Sequence, residues 1–166
     1  IESPSHGDRT LEVDPHNTTA SPYGWHDTNG LEGAEFTITR GNNVHAYADL
    51  EDTNSSLGDE PDGGDELYFD YPFDPMTEPD QYLDAATVNL FYMNNMMHDV
   101  WYHYGFDPQA GNFQSNNYGE GGLGGDYVHA QAQDSSGVGT NIALNNANFY
   151  TPPDGSNPVM QMYIWD

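Results

Sequence analysis

Two histidines near the middle of the chain are the first residues to suggest chemistry. His98 and His103 flank Asp99 and Trp101 in "VNLFYMNNMMHDVWYHYGFDPQAGNFQ" (residues 88–114), a stretch with helical patterning. A helical zinc pair needs histidines four apart on one face, as in H-E-x-x-H, whereas a spacing of five turns the second about 140° away from the first. One ion cannot be gripped by both, so Met93, Met97, Val100 and Trp101 read as core, with Asn94, His98 and Tyr102 as a second, polar stripe. Asn94 and His98 then have neighbouring loops as hydrogen-bond partners, because buried polar groups must find them. His6, His16, His26, His45 and His129 show no ligand spacing and read as surface or capping residues. The run "GEGGLGGD" lacks the Lys and Ser/Thr of a phosphate loop, so its glycines serve turns and close backbone approach. The acidic tract at residues 49–74 offers oxygen ligands at Asp59, Asp62, Asp65 and Asp70, with Glu60 and Glu66 beside them. A calcium site there is one reading and a solvated acidic loop the other; the spacing does not follow the twelve-residue EF-hand loop.

The charge balance bounds what such residues can serve. Against 27 Asp and Glu stand only Arg9 and Arg40, giving a formal net charge of −25. Nucleic acid is excluded as a natural partner, since phosphate binding is driven by Lys and Arg releasing counterions. An anionic membrane surface is disfavoured on the same ground. Low hydrophobicity with high net charge is also the signature of disorder, but a 13% aromatic share has no use in a solvated chain. The expectation is one folded, acid-coated domain, soluble at high salt, with Ca²⁺ the natural counter-ion for clustered carboxylates. Cysteine is absent, so disulfides and thiolate metal sites are excluded. No apolar run approaches the roughly 18 residues of a membrane span.

The elements that must position these residues follow from periodicity. Residues 1–30 read as a turn-rich surface segment pinned by Tyr23 and Trp25. "AEFTITRGNNVHAYAD" alternates on both sides of the turn "RGNN", as a β-hairpin does. The acidic residues 49–79 contain the aromatic insert "LYFDYPF", expected to dock onto the core. Tyr82, Ala86, Leu90, Met93, Met97, Val100 and Tyr104 step by three or four, predicting a helix over about 80–104 with that stripe buried. Thr77 or Asp80 is placed to cap its start and Gly105 to end it in the left-handed conformation. "VHAQAQD" alternates as a strand, and two more strands flank the turn "TPPDGSNP". The last, Val159 to Trp165, is apolar on both faces and wants cover on both.

The run "DAATVNLFYMNNMMHDVWYHYGFDPQAGNFQSNNYGEGGLGGDYVHAQAQD", followed by "NNANFYTPPDGSNPVMQMYIW", closely resembles the N-terminal part of the catalytic domain of fungalysin-type secreted zinc metallopeptidases, in the thermolysin-like group. "SPYGWHDT", "TRGNNVHAY" and "PDGGDELYFDYPFDP" fit the same family in the same order. The resemblance implies an α+β fold: residues 1–166 form an N-terminal lobe with a mixed, largely antiparallel sheet and one long helix. It also implies a secreted, extracellular enzyme in which zinc, held by two His and a Glu, polarises the scissile carbonyl while a Glu takes the proton of its water. No H-E-x-x-H occurs in the sequence. The zinc ligands are therefore expected in a C-terminal catalytic half, the partner of this lobe, and the chain alone is expected to be inactive. What carries over is an edge strand that aligns a protein or peptide substrate, implied by the resemblance to lie at Asn146 and Ala147, with Asn148 and Phe149 beside them. A stand-alone acidic binding module, with or without bound calcium and without catalysis, is the competing reading; Met160, Met162, Ile164 and Trp165, poised for a partner, argue against it.

Overall fold

In a computed structural model, which describes residues 9–58, 60–139 and 144–165, the helical periodicity becomes a 3-10 turn, Pro79–Tyr82, running into a helix, α1 (Leu83–Tyr102). The C-terminus ends as expected. The Gly105 N–H reaches the Tyr102 carbonyl and the Phe106 N–H the Trp101 carbonyl, both at 3.0 Å, with Gly105 at φ 92°. Neither Thr77 nor Asp80 caps the start: the 3-10 turn feeds straight into the helix, and the Thr77 hydroxyl donates to the Asp74 carbonyl instead.

The buried face of α1 differs from the expected stripe. Thr87, Phe91, Asn95 and Asp99 are buried, whereas Met93, Met97, Val100, Trp101 and Tyr104 are 40–79% exposed. Apolar spacing alone cannot choose between faces when polar residues of the other face are fully bonded. Here they are: Thr87 donates to the Leu83 carbonyl, Asn95 donates to the Phe91 carbonyl, and Asn95 Oδ1 accepts from Asn43.

Four strands, β1 (Val44–Ala48), β2 (Val128–Ala132), β3 (Ala147–Tyr150) and β4 (Val159–Met162), form a mixed sheet in the order β1-β2-β4-β3. The α+β class and long helix match the expectation. The balance of pairings is different, because β1 with β2 and β2 with β4 run parallel, and of the four strands only β3 and β4 pair antiparallel. The expected first hairpin is reduced to its second arm, β1. Its first arm contributes only isolated bridges, Ile38 to Asp62 and Arg40 to His45, since the Thr39 N–H is taken by the Pro61 carbonyl. Nearby, Asn42 donates to the Trp25 carbonyl at 2.9 Å; a side chain at Gly41 would place its Cβ 1.8 Å from that oxygen.

Alternation gives the sheet two unlike faces. Toward α1 point Val44, Ala46, Val128 and Ala130, which with Trp25 and Phe91 form the core, and Leu90, Tyr92, Met96, Phe113 and Met160 pack against it. The aromatic insert docks as expected: Phe69 lies parallel to His26 at 5.5 Å and Phe73 meets Tyr82 edge-on at 5.0 Å.

Buried carboxylates are a recurrent feature, and most are neutralised by N–H and O–H donors rather than cations. Asp99 accepts from the Asn17 N–H (2.8 Å), Ser21 Oγ (2.7 Å), Trp25 Nε1 (2.9 Å) and His98 Nδ1 (3.0 Å). Burial alone would raise its pKa, but those four bonds, led by His98, hold it below the usual carboxylate range. Asp49 accepts the N–H groups of Thr53 and Asn54, and Asp126 those of Gln114 and Gly155. Asp134, just past β2, is fully buried, and among the described residues no donor meets either of its oxygens in good hydrogen-bond geometry, although the Gln161 amide and the Tyr163 hydroxyl are near enough to moderate its charge. Burial, then the neighbouring Asp49 and Asp52 carboxylates, push it up to about 6.

Two outcomes are expected. Asp99→Ala strips four donors of their acceptor and lowers unfolding free energy by about 3 kcal/mol in urea titrations. Because the folded pKa of Asp99 is depressed, its stabilisation is present above the ordinary carboxylate range and fades as pH falls through the folded value. Asp134 has the opposite sign. Its ionisation costs stability as pH rises from the ordinary carboxylate range through about 6, so Asp134→Asn should melt above wild type at pH 8 and match it near pH 4. A less stable Asn variant at pH 8 would mean that a counter-ion balances Asp134 in solution.

Candidate functional site

Of the residues expected to align a substrate, Ala147, Asn148 and Phe149 fall on β3, an exposed strand at the edge of the sheet, and Asn146 immediately precedes it. Pairing with β4 fixes which backbone groups face outward. Tyr163 N–H donates to the Asn146 carbonyl at 3.2 Å, and an antiparallel ladder bonds alternate pairs, so Asn146, Asn148 and Tyr150 direct their backbone groups toward β4. Ala147 and Phe149 direct theirs to the open side, where among the described residues no further strand pairs. Asn146 Oδ1 takes the Ala147 N–H at 2.9 Å, which leaves the Ala147 carbonyl and both Phe149 groups without a partner among the described residues.

Side chains of β3 alternate as the sheet does. Ala147 and Phe149 share the α1 side with Met162 and Met160, while Asn148 shares the reverse side with Gln161. Phe149 meets Phe113 at 6.1 Å, and Phe113 meets Phe106 edge-on at 5.4 Å. This aromatic line runs from β3 to the end of α1, where Trp101 and Tyr104 lie 5.8 Å apart and exposed.

The hairpin that carries β3 is anchored at its tip by bonds the sequence did not advertise. Asp126, fully buried, receives the Gly155 N–H at 2.9 Å, and Asp154 receives that of Leu123 at 3.0 Å. Asn157 donates to the Tyr127 carbonyl at 2.8 Å. The glycine-rich run packs as expected, since a Cβ on Gly122 would meet the Pro108 carbonyl oxygen at 1.9 Å. "GEGGLGGD" is therefore a brace for the hairpin.

The histidines take structural places. His98 bonds Asp99 through Nδ1 and Gln114 through Nε2 at 2.9 Å, fulfilling its expected loop contact, while His103 is exposed beyond the helix. A surface or capping role does not describe His26, His45 and His129, which the fold encloses. His26 is lowered to about 4 by burial and holds the Arg40 carbonyl, so it is neutral at physiological pH. His45 Nε2 meets Glu60 Oε1 at 2.7 Å, yet burial lowers His45 despite that carboxylate, and burial, then His45 and Arg40, lower His129. His6 lies outside the described residues.

Of the acidic residues considered for calcium, Asp59 lies outside the described residues. Asp62 accepts the Gly64 N–H within its own turn, Asp65 is exposed, and Asp70 pairs with Arg9 at 3.3 Å. Among the described residues no three His, Cys, Asp or Glu side chains are grouped to hold a metal ion. No described helix is long and apolar enough to cross a membrane.

Comparison with known proteins places this geometry in a family. The family described as Fungalysin metallopeptidase (M36) matches residues 1–166. Extracellular metalloproteinase 5 of Trichophyton tonsurans is 42% identical over 165 residues, which cover 99% of this chain and 26% of that protein. Extracellular metalloproteinase 2 of Trichophyton rubrum is 43% identical over 178 residues, and Extracellular metalloproteinase 5 of Arthroderma otae 43% over 166, each covering 99% of this chain and 25% of the relative. The chain spans about a quarter of the length of the curated relatives it matches.

Proposed function

The chain belongs to the fungalysin metallopeptidase family, and from that premise we propose that it is the N-terminal, substrate-aligning lobe of an extracellular zinc endopeptidase that cleaves proteins and peptides. The observation that carries the reading is the open edge of β3, with the Ala147 carbonyl and the Phe149 N–H and carbonyl unpaired among the described residues. An extended peptide completes such an edge as a further strand, gaining backbone bonds at every second residue whatever its sequence. Asn146 and Ala147 lie at its start, and Asn148 and Phe149 present the side chains that flank the bound peptide.

Zinc does not fit this chain's own residues. The sequence has no H-E-x-x-H, His98 has both ring nitrogens engaged, and among the described residues no metal group assembles. The metal and its general base are assigned to a C-terminal half, and the chain alone is assigned no hydrolytic activity. Support for such a partner comes from Met93, Met97, Val100, Trp101 and Tyr104, an apolar face larger in character than a lone soluble lobe leaves in water. Of the last strand only Trp165, 63% exposed beyond β4, offers comparable surface, because β4 itself is an interior strand and partly buried.

The reading makes two expectations. The isolated chain should neither retain stoichiometric zinc in metal analysis nor cleave casein, and the protein joined to its H-E-x-x-H half should do both. In that active protein, methylating substrate backbone amides one at a time should lower kcat/KM roughly fivefold or more per lost bond at alternate positions, leaving those between unaffected. Sensitivity without alternation would sink the edge-strand reading.

A further inference from the structure

The reverse face of the sheet carries one row of side chains in register through all four strands: Tyr47 on β1, Gln131 on β2, Gln161 on β4 and Asn148 on β3. Their hydrogen bonds run in one direction. Asn148 Nδ2 donates to Gln161 Oε1 at 3.0 Å, Gln161 Nε2 to Gln131 Oε1 at 2.9 Å, and Gln131 Nε2 to the Tyr47 hydroxyl at 3.2 Å. Each amide accepts on its β3 side and donates on its β1 side, so the orientation of one fixes that of the next. The inner end cannot drift, because Gln131 and Tyr47 are buried. Asn54 Oδ1, from the acidic loop, accepts from both glutamines at 3.4 and 3.3 Å and clamps the row from above.

The outer end is incomplete. Asn148 spends Nδ2 inward, on Gln161 and on the Tyr163 hydroxyl at 3.3 Å, and among the described residues nothing donates to its Oδ1. We propose that this row makes Asn148 a specificity-determining acceptor for a hydrogen-bond-donating side chain on the bound peptide, with Gln161 and Gln131 as its positioning residues. The inference rests on β3 being the peptide-binding edge. A peptide strand added there places a side chain beside Asn148 on the same face. An amide, hydroxyl, ammonium or guanidinium group on that side chain completes the row. An aliphatic one leaves Oδ1 covered and unpaired, and a carboxylate sets two acceptors against each other.

The test uses the active protein joined to its zinc-binding half and a peptide series with glutamine or leucine at each position flanking the cleaved bond in turn. Wild type should prefer glutamine about fivefold in kcat/KM at one position, as one hydrogen bond gives. Gln161→Met should erase that preference, bringing kcat/KM on the glutamine and leucine peptides level. Asn148→Ala, an exposed site with no packing at stake, should erase it equally, and the double variant should add nothing further. A Gln161→Met protein that retains wild-type preference would overturn the proposal, as would wild type showing none at any position. An absence of alternation in the amide-methylation series would instead remove the edge-strand reading beneath it, so the two failures are distinct.

Discussion

The carboxylate of Asp99 holds together parts of the chain that share no regular structure. Its four donors come from the irregular segment before residue 26 and from α1 itself, so one side chain fastens the N-terminal segment across the helix. Trp25, once its Nε1 is bonded there, lies against Phe91 at 6.5 Å and Tyr92 at 5.6 Å, and its carbonyl receives Asn42 at the entry to β1. The helix is thereby pinned to the sheet through its polar line, and that choice leaves the methionine face outward.

A chain with so few cations cannot balance buried charge by ion pairing, and the fold reflects this. Asp49, Asp99 and Asp126 are each met by backbone or side-chain N–H groups, which desolvate at less cost than a paired ion. Arg40 is spent on aromatic faces, 4.3 Å from the Phe36 ring and 5.6 Å from that of Tyr127. The interior is accordingly rich in Asn, Gln and Thr, and its specificity comes from matched donors and acceptors as much as from apolar contact.

How much of this was legible depended on the kind of signal. Local alternation located β2 and the β3–β4 hairpin, and the Gly105 stop was readable because one glycine geometry ends helices in this way. The α1 face was misread because methionines and aromatics fall on one helical side while the side that packs is Thr87, Asn95 and Asp99, whose burial depends on partners up to 82 positions away. The parallel pairings were equally hidden, since no local pattern says which distant strand a segment will join. For the candidate edge strand, residue order in "NNANFY" marked the place, but which of its backbone groups face outward came only from the β4 register. The amide row had no sequence signature at all, being four residues from four separate strands.

The strand order also sets a timetable for folding. β3 and β4 are joined by a short turn and can zip up locally, whereas β1 must wait for β2, whose partner residues lie about 80 positions further along the chain. Closing so long a loop is slow, whereas β2 meets β4 only about 30 positions along, and until β2 docks β4 has only its hairpin partner. During that interval a two-stranded ribbon with an aromatic flank is exposed to any passing chain, the usual start of misassembly. The Asp126 and Asp154 braces at the hairpin tip, made to the glycine run that leads into β2, join the locally formed ribbon to the strand it must meet and so shorten the search.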